Sequence, residues 1–212
     1  MSAFVALTEL EAEVIVSAYR HRLLSTSQIH RLHTPQTSMR WTQKVLARLE
    51  DAGYLARVRA RTAKWAGGES LWWGTELGAD AAETGEDVAE RRYRMSTARA
   101  LGPLQAHTLA TNDVGAAFVT AARTLGHECS PADWDHEIAF RIADRPTTGP
   151  GSVLLVVDAV LHYTIHWPEG DELLCRFVEV DRGTETVGRL AAKLRSYAAL
   201  YEYVPKPTGR DP

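Results

Sequence analysis

Cysteine is nearly absent from this sequence: Cys129 and Cys175 are the only two among 212 residues, and neither lies in a CxxC pair. Two thiols are too few for a disulfide scaffold, so the fold must rest on its apolar core, and both read as small buried residues. Long hydrophobic runs are missing as well; none approaches the ~18–20 residues that a membrane span needs. The opening stretch, MSAFVALTELEAEV, has neither a basic n-region nor a continuous apolar segment, so no signal peptide is expected. The expected location is the cytoplasm, with no membrane partner. A P-loop, a GxGxxG fingerprint, a GxSxG elbow and a tyrosine-relaxase arrangement with a downstream histidine triad are all lacking. Nucleotide hydrolysis, hydride transfer and serine-type acyl chemistry are therefore unsupported, and no nucleotide cofactor is expected.

A large net charge is missing too: 24 Lys and Arg stand against 27 Asp and Glu, for −3 overall. Hydrophobic residues make up 45% and charged residues 24%, a globular composition that excludes disordered, collagen-like and coiled-coil chains. The length fits one large domain or two small ones. The modest net charge hides an asymmetry. Between Arg20 and Lys64 there are ten basic residues against Glu50 and Asp51, a surplus of eight, so the rest of the chain carries −11. Phosphate neutralisation supplies most non-specific nucleic-acid affinity, so a folded basic block is the footprint of a polyanion site. A solvated basic face with no partner is the competing reading.

The first segment reads as three helices and a hairpin. Thr8 with Glu11 three residues later forms a capping-box pattern, and Leu10, Val14, Ile15 and Ala18 fall at helical spacing. Ser25-Thr26-Ser27 caps a short second helix that the stretch around Pro35 ends. A third helix runs through SMRWTQKVLARLEDAGYL, with Val45, Leu46 and Leu49 as its core stripe and Gly53 as its stop. Two strand-like runs, YLARVRAR and SLWWGTE, flank a tip containing Gly67-Gly68. This order predicts a winged helix-turn-helix over residues 1–83. Its third helix would offer Arg40, Trp41, Gln43, Lys44 and Arg48 to double-stranded DNA, and its wing Arg57, Arg59, Arg61 and Lys64. A winged helix used for protein contacts is the alternative. Trp72 and Trp73 alternate across a strand, so one is expected in the core; Trp65 near the tip could stack on a base.

Residues 84–104 read as a partly helical connector. From 105 to 204 the pattern changes to helix, three strands and helix, an α/β segment of mixed sheet, followed by a tail at 205–212. The strands are expected over Trp134–Ile142, over residues 153–167 and over Cys175–Gly183. Asp158 interrupts the apolar run VLLVVDAVL, where an unpaired carboxylate would be costly. Glu179 and Asp181 lie two apart in FVEVD and share a strand face, and Glu137 in WDHEIAF is a further candidate. Neighbouring carboxylates repel unless a cation lies between them, and Mg²⁺ favours one or two carboxylates plus waters and phosphate oxygens. A strand-borne Asp with a strand-borne Glu about twenty residues later suits a metal-dependent phosphodiesterase.

Asp158, the run Glu179-Val180-Asp181-Arg182-Gly183-Thr184-Glu185, and then Lys193-Leu194 and Tyr197 on the next helix together resemble the replication-relaxation family of actinobacterial plasmids and mobile elements. The winged-helix pattern, His107 with Asn112-Asp113, and Glu137 after Trp134 extend the resemblance over most of the chain. It implies a winged helix joined to a domain similar to the PD-(D/E)xK nucleases, acting in replication or DNA relaxation. On that resemblance Asp158 and Glu179 match the metal-binding acids, with Mg²⁺ or Mn²⁺ as the cofactor. Asp181 stands where the motif has Lys, and Lys193 would take that role from the following helix, with Arg182 the weaker substitute. The resulting expectation is a DNA nickase or endonuclease using Asp158, Glu179, Asp181, Lys193 and Glu137. The alternative is an inactive regulator or replication accessory factor whose second domain serves docking or a homodimer, with Asp181, Arg182 and Glu185 as a structural network.

The histidines carry less. His162 and His166 have helical zinc spacing, but on a strand they would lie roughly 13 Å apart, too far for one metal. His107 reads as structural, and His136 points away from Glu137.

Overall fold

A computed structural model describes residues 6–59, 68–84, 88, 90–91, 93–143, 153–183 and 185–204. Among them the protein is a mixed α+β structure of seven helices and two three-stranded sheets. The chain divides into two compact units, one of residues 1–135 with 161–176 and the other of residues 136–160 with 177–212.

In the first unit, α1 (Glu9–Arg20) opens on the complete Thr8–Glu11 capping box, each side chain serving the other's backbone N–H. It buries Val14, Ile15, Ala18 and Tyr19. After β1 (Leu24–Ser25), Ser25 and Gln28 form a second capping box that starts α2 (Thr26–His33). Ser38 caps α3 (Met39–Asp51), which buries Thr42, Leu46 and Leu49, and Gly53 supplies the φ of +84° at which the chain leaves it. Strands β2 (Leu55–Arg59) and β3 (Ser70–Gly74) pair antiparallel with Arg57 opposite Trp72, and β1 pairs on the other edge of β3.

The central position of β3 explains why Trp72 and Trp73 are both buried, where alternation alone put only one in the core. Trp72 donates its indole N–H to Thr26 Oγ1 at 2.9 Å, beneath the helices. Trp73 packs on the other side with Leu23, Leu71, Ala100 and Leu109, joined by Ala56, Val58 and Met95. Helix α4 (Glu76–Glu83) follows β3 directly, capped by Thr75, and lies so close to the turn before β2 that a Cβ on Gly78 would sit 2.1 Å from the Tyr54 carbonyl oxygen. The short α5 (Thr97–Ala100) supplies Ala100 to the core around Trp73.

Helix α6 (Gln105–Leu125) also packs in this unit, against α2 and β1, although the sequence pattern had placed it at the head of the second segment. Polar ties are the reason. Buried Asn112 donates to the carbonyls of His21 and Leu23, at 3.2 and 2.8 Å. Gln28 donates to the Leu109 carbonyl at 2.8 Å and to Asp113 at 3.0 Å. Arg123 donates to the carbonyls of Arg31 and Leu32 at the end of α2, which a helix leaves without intrahelical partners.

The remaining sheet has the order β4 (Trp134–Arg141), β5 (Leu154–Trp167), β6 (Gly170–Val178). β5 is one continuous strand through Asp158, and a two-residue turn at Pro168-Glu169 returns the chain into β6. In the second unit Leu155, Val157 and Val160 form the core with Ile138, Phe140, Ile142 and Phe177. Helix α7 (Val187–Glu202), capped by Thr186, adds Tyr197 and Leu200 to that core. β6 ends at Val178, earlier than the sequence pattern suggested, because the Val180 N–H is taken by the Asp158 side chain at 2.7 Å.

Candidate functional site

The acidic residues singled out in the second unit are held by different elements. Asp158 projects from the middle of β5, and its Oδ2 accepts the Val180 N–H. Glu179 is the first residue after β6, and from α7 Lys193 donates to its Oε2 while Tyr197 donates to its Oε1 at 2.5 Å. The same Lys193 ammonium stands 4.0 Å from Asp158 Oδ1. Three of the five expected catalytic side chains thus meet: two carboxylates joined through one lysine, with side chains only 20–27% exposed. Asp181 is engaged differently. Its Oδ1 accepts the Gly183 N–H at 2.8 Å, an Asx-type turn completed by Gly183 at φ +76°. Glu137 is exposed on β4 at φ +52°, an unusual backbone state for a non-glycine residue.

Tyr197 belongs to the family resemblance but stands outside the expected catalytic set. The signal was its spacing: positions four apart share a helix face, so Tyr197 follows Lys193 onto the same carboxylate. Its ring packs against Phe177 with centroids 5.8 Å apart. Burial first, and then the contact with the Glu179 carboxylate, push the phenol pKa up, so the hydroxyl stays protonated and serves as a hydrogen-bond donor to Glu179. Asp158 and Glu179 have the right donor chemistry for a hard divalent ion, which takes one or two carboxylates and completes its shell with water or phosphate. No cluster of three or more His, Cys, Asp or Glu placed to hold a metal ion is found among the described residues.

The basic residues of the first unit separate into two sets. Arg40, Gln43 and Lys44 are exposed on α3, as is Trp41 at 40%. The helix is fixed to α2 by a buried relay in which His30 Nδ1 lies 2.8 Å from Thr42 Oγ1 and Thr34 Oγ1 lies 2.7 Å from the same atom. Arg59 is also exposed, at the end of β2. The other set is already paired within the unit. Arg48 meets Glu11 at 3.1 Å, Arg57 meets Glu50 at 3.0 Å and lies over the Trp72 ring, Arg20 meets Asp135 at 3.1 Å, and Arg31 meets Asp113 at 2.5 Å. Arg61, Lys64 and Trp65 lie outside the described residues.

His166 on β5 pairs across the turn with Asp171 at 2.7 Å, which raises its pKa. No helix among the described residues is long and apolar enough to cross a membrane.

No curated protein and no solved structure matches this chain. A family model does, under the description replication-relaxation, and it spans residues 16–210, taking in both the basic helix α3 and the carboxylate–lysine cluster. With nearly the whole chain matched, the protein belongs to the replication-relaxation family.

Proposed function

We propose that the protein acts on the DNA of a plasmid or mobile element during replication or relaxation, binding the duplex through its first unit and cleaving a phosphodiester in its second. In this reading residues 1–83 are a winged helix-turn-helix, with α3 entering the major groove and the β2–β3 hairpin as the wing. Residues 105–204 carry the PD-(D/E)xK-like catalytic elements. The order of α1, β1, α2, α3, β2 and β3 supports the first assignment. The exposed Arg40, Trp41, Gln43 and Lys44 at the N-terminal half of α3 support it further, since that half of a recognition helix contacts base edges.

The single observation that carries the catalytic reading is the meeting of Asp158, Glu179 and Lys193. Asp158 and Glu179 would hold Mg²⁺ or Mn²⁺, which when bound supplies Lewis-acid polarisation of the phosphate and a more acidic water. Lys193 carries the positive charge that the motif ordinarily places at the position of Asp181, and it orients the attacking water and offsets charge on the phosphate. Tyr197 holds Glu179 in place, and the Asp158 contact with the Val180 N–H fixes the second acid. Glu137 and Asp181 remain assisting acids in this proposal.

One observation favours a second reading, that of a non-cleaving regulator or accessory factor. Lys193 already neutralises part of the charge of both carboxylates. The two readings separate in a plasmid assay. Purified protein with Mg²⁺ should convert supercoiled plasmid to nicked circles, and Asp158→Ala should abolish this while duplex binding survives. Unchanged nicking by Asp158→Ala would remove the catalytic assignment. Binding without cleavage under any divalent ion would establish the accessory reading.

A further inference from the structure

We infer that Lys193 is a resident counter-ion at the position a divalent ion would take, and that metal entry requires it to leave Glu179. This deepens the metal-dependent reading and rests on it. The ammonium touches Glu179 Oε2 and lies 4.0 Å from Asp158 Oδ1, so it occupies the space between the two acids. The other oxygen of Glu179 is committed to Tyr197, and the other oxygen of Asp158 to the Val180 N–H. The remaining oxygen of each carboxylate, Asp158 Oδ1 and Glu179 Oε2, lies within 4.0 Å of the same lysine ammonium.

The charge balance follows. Two carboxylates and one ammonium leave a single negative charge, whereas two carboxylates alone would offer a divalent ion twice that attraction. A divalent ion entering beside Lys193 meets a like charge at close range, which Coulomb's law makes unfavourable even in a partly solvated site. Lys193 has somewhere to go: its side chain is 26% exposed, and its long flexible stem can swing the ammonium outward to a phosphate oxygen. Tyr197 is a positioning residue in this arrangement. It anchors Glu179 from the core side, so the acid keeps its place when the lysine departs.

The test is direct binding of Mn²⁺, followed by the loss of the free-ion signal in electron paramagnetic resonance, with no DNA and no turnover. Lys193→Gln and Lys193→Met remove the charge while keeping the length of the side chain, and circular dichroism confirms that each folds. Both should bind Mn²⁺ about tenfold or more tightly than the wild type. Tyr197→Phe keeps the lysine and loses only the phenol, and should show no such gain. Equal affinity in the wild type and both lysine variants would overturn the counter-ion role while leaving the metal reading intact. A gain in Tyr197→Phe as large as in Lys193→Gln would overturn it as well, because loosening of Glu179 would then be the cause. Absence of Mn²⁺ binding in every form would overturn both the inference and the reading beneath it.

Discussion

Arg48 Nε lies 3.1 Å from Glu11 Oε1, and the glutamate side chain is only 4% exposed. Glu11 also closes the capping box of α1 through the Thr8 backbone N–H and hydroxyl, at 2.9 and 2.8 Å. The arginine thus compensates a carboxylate that has been taken out of water to start a helix. Arg48→Ala leaves that charge without its ion partner and should lower stability by roughly 1–3 kcal/mol in urea unfolding, with loss of helix. A stability unchanged within ~0.5 kcal/mol would mean that water replaces the guanidinium there.

Arg40 and Lys44 should behave in the opposite way, because both are exposed on α3. The double variant Arg40→Ala with Lys44→Ala should unfold like the wild type but bind duplex DNA more weakly. If both contact phosphates, the slope of log affinity against log salt should fall by about 2. An unchanged slope would place the DNA elsewhere on the molecule.

His33 gives the protein an acid-sensitive joint. Its side chain is 3% exposed, with Nε2 2.9 Å from Ser17 Oγ and Nδ1 3.6 Å from Glu13. Burial, and secondarily the charge of Arg123, hold its pKa down to about 4 from 6.5, so the imidazole facing Glu13 is neutral at pH 7. Between those two values the unfolded chain binds a proton that the native protein does not. The stabilisation is therefore complete above pH 6.5 and is lost as pH falls toward 4. Between pH 7 and 5 the wild type should lose about 2 kcal/mol more than His33→Gln, measured by urea unfolding at each pH. Parallel losses in the two proteins would assign the acid sensitivity to the carboxylates instead.

The helices of the first unit were legible because their signals are local. Thr8 with Glu11, the cap around Ser25 and the stop at Gly53 act within one turn of chain, and each appears where the pattern put it. The basic surplus between Arg20 and Lys64 was visible too, but its meaning was not. Glu11, Asp113 and Asp135, which pair with Arg48, Arg31 and Arg20, all come from outside that stretch of sequence. A charge count along the chain cannot see partners that folding brings in.

The second unit divides in the same way. A carboxylate inside an apolar strand and a second one about twenty residues later marked Asp158 and Glu179 as residues to watch, whereas Lys193 was named only on the family resemblance. Alternation also set Glu179 and Asp181 on one strand face, yet β6 stops before either and Asp181 closes its own turn with Gly183. Where a strand ends depends on which N–H finds a partner, and here Asp158, twenty-two positions earlier in the chain, claims that of Val180. What the amino-acid order determined by itself was the set of caps, stripes and misplaced charges, because these arise from neighbours one helical turn or one pleat apart. Which charges neutralise one another, and that Lys193 and Tyr197 share the two oxygens of Glu179, only the folded chain decided, because Coulomb and hydrogen-bond contacts depend on distances in space.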